Sequence, residues 1–178
     1  MSNSDFKKNY FELFDLPVQF ALDSSAVGER FRSLQQQFHP DRFAGTSEQE
    51  QRIAVQYSAL VNQAYTTLRN PLQRSLYLLE LAGMTQEDVA AEKVDGGFLM
   101  EQLELREKLE TINTMVDPET FLDHLLQEIA ADIKSHQMEF EQAYKAQQID
   151  VAAMACVKMQ YLEKLLQEAE QIESTWLD

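Results

Sequence analysis

Few side chains in this sequence have the types and spacing that chemistry requires. The clearest group is His39-Pro40-Asp41, inside "SLQQQFHPDRFAG" at 33–45. An imidazole can donate or accept a hydrogen bond, a carboxylate can take a bidentate arginine, and the proline between them stiffens the chain. The stretch offers too few polar partners for a catalytic centre, so recognition is the better reading. Cys156 is the one cysteine; it can form no internal disulfide, belongs to no zinc-spaced pair and has no base beside it in sequence. It reads as a packing residue or a surface thiol. His124 and His136 stand twelve apart on one expected helix, whereas ligands on a single helix are spaced three or four apart. No glycine-rich phosphate loop is present. The expectation is a protein that is not an enzyme and holds neither metal nor cofactor.

What would position the tripeptide is a helical hairpin. Val27, Phe31, Leu34 and Phe38 recur at steps of four, three and four, as an amphipathic helix requires, with Asp23 or Ser24 able to cap it. Pro40 disfavours helical geometry at His39, so the helix must stop there. A second helix is expected from about Ser47, with Ile53, Tyr57, Leu60, Val61, Ala64 and Leu68 on one face, ending at "RNP" (69–71). A joining loop of about eight to ten residues packs the two antiparallel, with the tripeptide at their tip. A short apolar piece, "YFELFDL" (10–16), precedes them. Pro71 opens another helix that Gly83 stops.

From Phe98 three long helices are expected, over about 98–116, 118–147 and 150–176, with Asp117 capping the second and Pro118 in its first turn. The fold class is all-α: a helical hairpin over 1–75, a connector over 76–97 and a three-helix bundle over 98–178. The scarcity of turn residues agrees with this, since 178 residues include only five glycines and four prolines.

Net charge is −15, and it is uneven. Residues 1–70 hold eight acids against seven bases, residues 71–178 twenty-two against eight. An acidic surface repels phosphate backbones, so nucleic acid and anionic membranes are poor partners. No apolar run approaches the ~20 residues that span a bilayer. The opening "MSNSDFKKNYFELF" lacks the apolar core of a signal peptide and the pattern of a transit peptide, which gives a cytoplasmic expectation.

With the tripeptide in a hairpin loop, an apolar segment ahead and basic residues beside it, residues 10–70 resemble a J-domain. "YFELFDLP", "RFRSLQQQFHPDRF" and "LVNQAYTTLRNPLQRSLYLL" carry the likeness. That family stimulates ATP hydrolysis by DnaK-class chaperones. The resemblance implies that His39, Pro40 and Asp41 form the trigger, with Arg30, Arg32 and Arg42 as electrostatic contacts. Arg42 departs from the more usual lysine; both are cations, but they hydrogen-bond differently.

In the helix from 98, Phe98, Leu105, Leu109, Ile112 and Val116 form one stripe, the expected bundle core. Leu99, Met100 and Leu103 lie off it, with Glu104, Glu107 and Glu110 around them. Packing against another element and an exposed, acid-rimmed partner face both suit this pattern. On the last helix Val151, Ala155, Leu162, Leu165, Ala169, Ile172 and Trp176 mark the core stripe, and Tyr161 falls about 100° off it. "FLMEQLELREKLE" (98–110) and "YLEKL" (161–165) resemble the C-terminal domain of the HscB family, the J-proteins devoted to iron–sulfur cluster assembly, and the likeness covers essentially the whole chain. It implies two partners, the cluster scaffold IscU and the specialised chaperone HscA. Leu99, Met100, Leu103, Glu104, Glu107 and Tyr161 would form the scaffold site in a protein expected to be monomeric. Thr111 replaces the next acid of that patch, and the zinc-type CxxC pair of some eukaryotic relatives is missing. A general J-domain co-chaperone with another client, and a helical adaptor in which the tripeptide merely turns the chain, are the competing readings. ATPase stimulation separates the adaptor from both chaperone readings; IscU binding separates the dedicated protein from the general one.

Overall fold

The computed structural model describes residues 5–177, and these form eight α-helices with short 3-10 turns and no strand. Two compact units divide inside one helix, the first running to Leu78 and the second starting at Leu79.

In the first unit, α1 (Tyr10–Leu13) is fixed by a capping box: Asn9 accepts the Glu12 N–H at 2.9 Å and Glu12 returns a bond to the Asn9 N–H. Four residues cannot hold a helix unaided. Burial of Phe11, Leu13 and Phe14 supplies the rest. Asp23 caps α2 (Ser24–Phe38), and Ser47 with Glu50 forms a second capping box for α3 (Glu48–Arg69). Phe31 stacks on Tyr65 at 3.9 Å, Gln35 reaches Asn62 at 3.4 Å and Phe38 meets Tyr57 at 4.3 Å. Rising numbers on α2 meet falling numbers on α3, so the pair is antiparallel. Asn70 accepts the Gln73 N–H at 2.8 Å to start α4 (Pro71–Leu81). From α4, Tyr77 stacks on Tyr10 at 4.3 Å and accepts its N–H at 3.0 Å; Arg74 donates to the Leu68 carbonyl at 2.6 Å and lies over Phe20. Gly83, at φ +95°, takes the left-handed conformation that ends this helix, as expected of it.

In the second unit, α5 (Gln86–Ala91) is capped by Thr85 and Asp88 and packs on the last helix through buried Val89. The stretch 76–97, expected as a connector, therefore contains the end of α4 and all of α5. Then come α6 (Gly96–Glu110), α7 (Pro118–Lys145) and α8 (Ile149–Leu177). Lys108 pairs with Glu128 while Phe98 meets His136, so α6 and α7 are antiparallel. Asp95 pairs with Lys158 and Arg106 with Glu168, so α6 and α8 are parallel. The bundle runs up, down, up around Phe98, Leu105, Leu109, Leu125, Ile129, Leu162 and Leu165. Cys156 is fully buried on the side of α8 that also buries Ala152, Ala155 and Met159.

Two core expectations fail, each for a reason. Val116 is fully exposed because α6 ends at Glu110. A 3-10 turn over Ile112–Thr114 and extended Met115 follow, so the 100° advance does not reach Val116, although Ile112 is still buried. Val151 is exposed because the start of α8 packs through a different side, on which Ala152, Ala153 and Cys156 are fully buried.

The link from α7 to α8 carries strain. Gln147 sits at φ 59°, and its N–H and that of Gln148 close on the Tyr144 and Ala143 carbonyls at 3.0 and 2.9 Å. This is a left-handed helix stop filled by a residue with a Cβ, which costs ~1–2 kcal/mol relative to glycine. Gln147→Gly should raise stability by roughly 0.5–1 kcal/mol after the extra entropy of the unfolded chain, or about 2 °C in a thermal melt. An unchanged or lower Tm contradicts this.

Candidate functional site

Two exposed features stand out, one in each unit. The first is the turn after α2. His39 leaves the helix at ψ 130°, the extended setting that the following proline imposes, and Pro40–Phe43 winds into a 3-10 turn. The His39 Nδ1 accepts the Asp41 N–H at 3.3 Å, and Asp41 Oδ2 lies 3.6 Å from the same nitrogen. A neutral ring accepting at Nδ1 carries its proton on Nε2. The His39 carbonyl accepts the Arg42 N–H at 3.0 Å, while the Arg42 guanidinium donates to the Gln36 carbonyl at 2.9 Å. That bond satisfies one of the carbonyls orphaned at the end of α2, and it places a cation where the helix dipole favours one. The turn is thus closed by bonds between near neighbours. The side chains of His39 and Asp41 remain 58% and 91% exposed.

Arg32, Gln35, Gln36, His39 and Arg42 line one shallow depression. Arg30, expected with Arg32 and Arg42 as an electrostatic contact, does not line it. Its guanidinium pairs with Asp15 just after α1 and its side chain is only 34% exposed. Arg30 ties α1 to α2, a role invisible in sequence because its partner is fifteen residues away.

The second feature lies on α6. Leu99, Met100 and Leu103 are 44%, 58% and 50% exposed, while the opposite side of the same helix buries Phe98, Leu105 and Leu109. Glu104 and Glu107 are exposed beside them. Tyr161 is 46% exposed, its ring set edge-on to Phe98 at 6.1 Å. The helix therefore has two apolar sides, one in the core and one in solvent. Thr111 is its C-cap, its hydroxyl donating to the Glu107 carbonyl at 2.8 Å. The remaining candidates for chemistry behave as packing and surface. His124 is exposed, and His136 contacts Glu139 at 2.8 Å with its ring edge-on to Phe98. Among the described residues no group of acids, histidines and cysteine could hold a metal ion, and no helix is long and apolar enough to cross a membrane.

Sequence reasoning missed what holds the start of α6. Asp95 accepts the Phe98 N–H at 2.9 Å, and its other oxygen is 3.5 Å from Lys158 Nζ. The bond from the Phe98 N–H holds the Asp95 carboxyl below its usual range; desolvation opposes it, and the Lys158 ammonium adds a smaller lowering effect. An aspartate before two glycines and an apolar residue was a readable cap signal. The lysine carried none.

Known proteins resemble this chain along nearly its whole length. The family model described as the HSCB C-terminal oligomerisation domain matches residues 94–170. A co-chaperone protein HscB homolog from Photobacterium profundum is 41% identical over 170 residues, 96% of this chain and 99% of that protein. Its counterpart from Vibrio cholerae is 42% identical over 170 residues, 95% and 99% of the two chains. Among solved structures, chaperone HscB from Vibrio cholerae superposes with a TM-score of 0.87 at 40% identity, covering 95% of this chain and 99% of that one. Human co-chaperone HscB superposes at 0.85 with 29% identity, covering 93% and 82%.

Proposed function

The chain belongs to the HscB family of co-chaperones, and from that premise we propose that it binds the iron–sulfur scaffold IscU, delivers it to the DnaK-class chaperone HscA and stimulates HscA's ATPase. The scaffold would dock on Leu99, Met100, Leu103 and Tyr161, with Glu104 and Glu107 at the rim. HscA would meet the turn of His39, Pro40 and Asp41. Arg32 and Arg42 would steer that turn toward an acidic partner surface, raising the association rate more than the final affinity.

The observation that carries this reading is the exposed apolar side of α6. Three large side chains in solvent beside a half-exposed tyrosine are what a docking face offers, and burial of each on binding is favourable. The exposure of His39 and Asp41 supports the other half: a short, internally bonded turn can enter a partner's groove with little loss of conformational entropy. Capture of the scaffold by the bundle and docking of the J-domain then place both on HscA. Hydrolysis of its ATP closes the chaperone on the scaffold and favours cluster release or transfer. The location that fits this work is the cytoplasm.

The test is a steady-state ATPase assay of purified HscA with this protein, with and without IscU. The expected result is a higher rate with the protein alone and a further rise when IscU is added. No change from basal rate in either arm rejects the assignment. Stimulation that IscU does not alter favours a co-chaperone with another client.

A further inference from the structure

The first turn of α6 is built from poor material. It opens Gly96-Gly97, and glycine is the least favourable helix residue short of proline. Yet Leu99 and Met100, half of the face proposed to hold the scaffold, sit on this turn. Gly97 has little room to change: a Cβ there would lie 3.1 Å from the Asp95 capping oxygen. Order at this turn therefore leans on its Asp95 cap and on tertiary contacts, and the structure gathers several of these on one residue. Lys158 of α8 is only 16% exposed, its ammonium 3.5 Å from Asp95 and 5.5 Å from the centre of the Phe98 ring. Asp95 in turn caps the Phe98 N–H. Phe98 is buried, and its ring meets both the cation of Lys158 and the ring of Tyr161, one turn further along α8. A largely buried ammonium that bonds a cap and lies over an aromatic face is placed at some desolvation cost.

We propose that Lys158 is a positioning residue for the scaffold-docking face, holding the glycine-rich start of α6 against α8 so that Leu99, Met100 and Tyr161 are fixed in register before a partner arrives. The inference rests on the docking face proposed above. Lys158 itself need not touch the partner; it acts through Asp95 and Phe98. Fixing the face in advance removes the ordering cost that binding would otherwise carry.

Three variants test this. Lys158→Met keeps the packed stem and removes the charge. Asp95→Asn keeps a good capping oxygen and removes the ion pair. Lys158→Arg restores a cation. Calorimetry with purified IscU should give affinities about three- to tenfold weaker for the first two and near the parent for the third. The double variant Asp95→Asn/Lys158→Met should be little worse than either single change, because both break one connection. Amide exchange over 97–103 should accelerate in the weakened variants while the core segments of α7 and α8 keep their protection. The variant with Leu99, Met100 and Leu103 all changed to alanine serves as control. If it loses affinity while Lys158→Met binds as tightly as the parent, Lys158 has no positioning role. If it too binds as tightly, the docking face itself is wrong and the inference falls with it. Additive losses in the double variant, or faster exchange throughout the bundle, would likewise overturn it.

Discussion

Replacing His39 with glutamine should return HscA's ATPase to its basal rate while leaving the fold as stable as before. Both halves of this expectation follow from the geometry of the turn. The His39 ring accepts the Asp41 N–H, so it fixes the backbone from which the exposed Asp41 carboxylate projects. Glutamine is a flexible amide that can hydrogen-bond but cannot keep a ring nitrogen in that place. If a partner arginine is to find the carboxylate in a bidentate arrangement, small errors in aim are costly. Stability should hardly change, because the side chain is mostly in solvent and its bonds stay within the turn; exposed substitutions of this kind usually fall within ~0.5 kcal/mol. Steady-state ATPase rates and a thermal melt measured by circular dichroism check the two halves together. Stimulation that survives the change removes the turn from the mechanism.

The second large effect concerns the bundle. Changing Leu99, Met100 and Leu103 together to alanine should weaken IscU binding by about a hundredfold. Fully burying such a side chain is worth ~1.5–3 kcal/mol. These three already lie about half out of water, and alanine keeps the Cβ, so about 1 kcal/mol each is the appropriate figure. Their sum of ~3 kcal/mol corresponds to roughly two orders of magnitude in Kd. Since none of the three belongs to the core, the melting temperature should hold. Calorimetric titration decides the matter: unchanged affinity rejects this side of α6 as the docking face.

Much of this could be read from the sequence, and the failures have a common physical cause. The stop at His39, the cap at Asp117, the helix start near Ser47 and the stop at Gly83 are local events, fixed by a residue and its near neighbours, and the structure has them where expected; of the two caps open to α2, Asp23 is the one used. The split of the apolar residues of α6 into two sides also follows from period alone. Period could not say whether Leu99, Met100 and Leu103 face solvent, since a helical stripe does not reveal which neighbours are present. The same blindness led to Val116 and Val151: one stripe was continued past the end of its helix, the other into a stretch of α8 that buries a different side. The pairings of Arg30 with Asp15 and of Lys158 with Asp95 join residues fifteen and sixty-three positions apart. No spacing rule announces such bonds; they exist only once the helices have packed.

The sealed sulfur of Cys156 has a bearing on cargo. Thiolates are the ligands that iron–sulfur clusters prefer, and a carrier with a free one at its surface would be a rival for the iron it escorts. The sole cysteine of this sequence is closed off inside α8's packed side. On the proposed function, a courier so built would offer the cluster no thiolate of its own: it would grip the protein around it and leave sulfur ligation to the donor and the recipient.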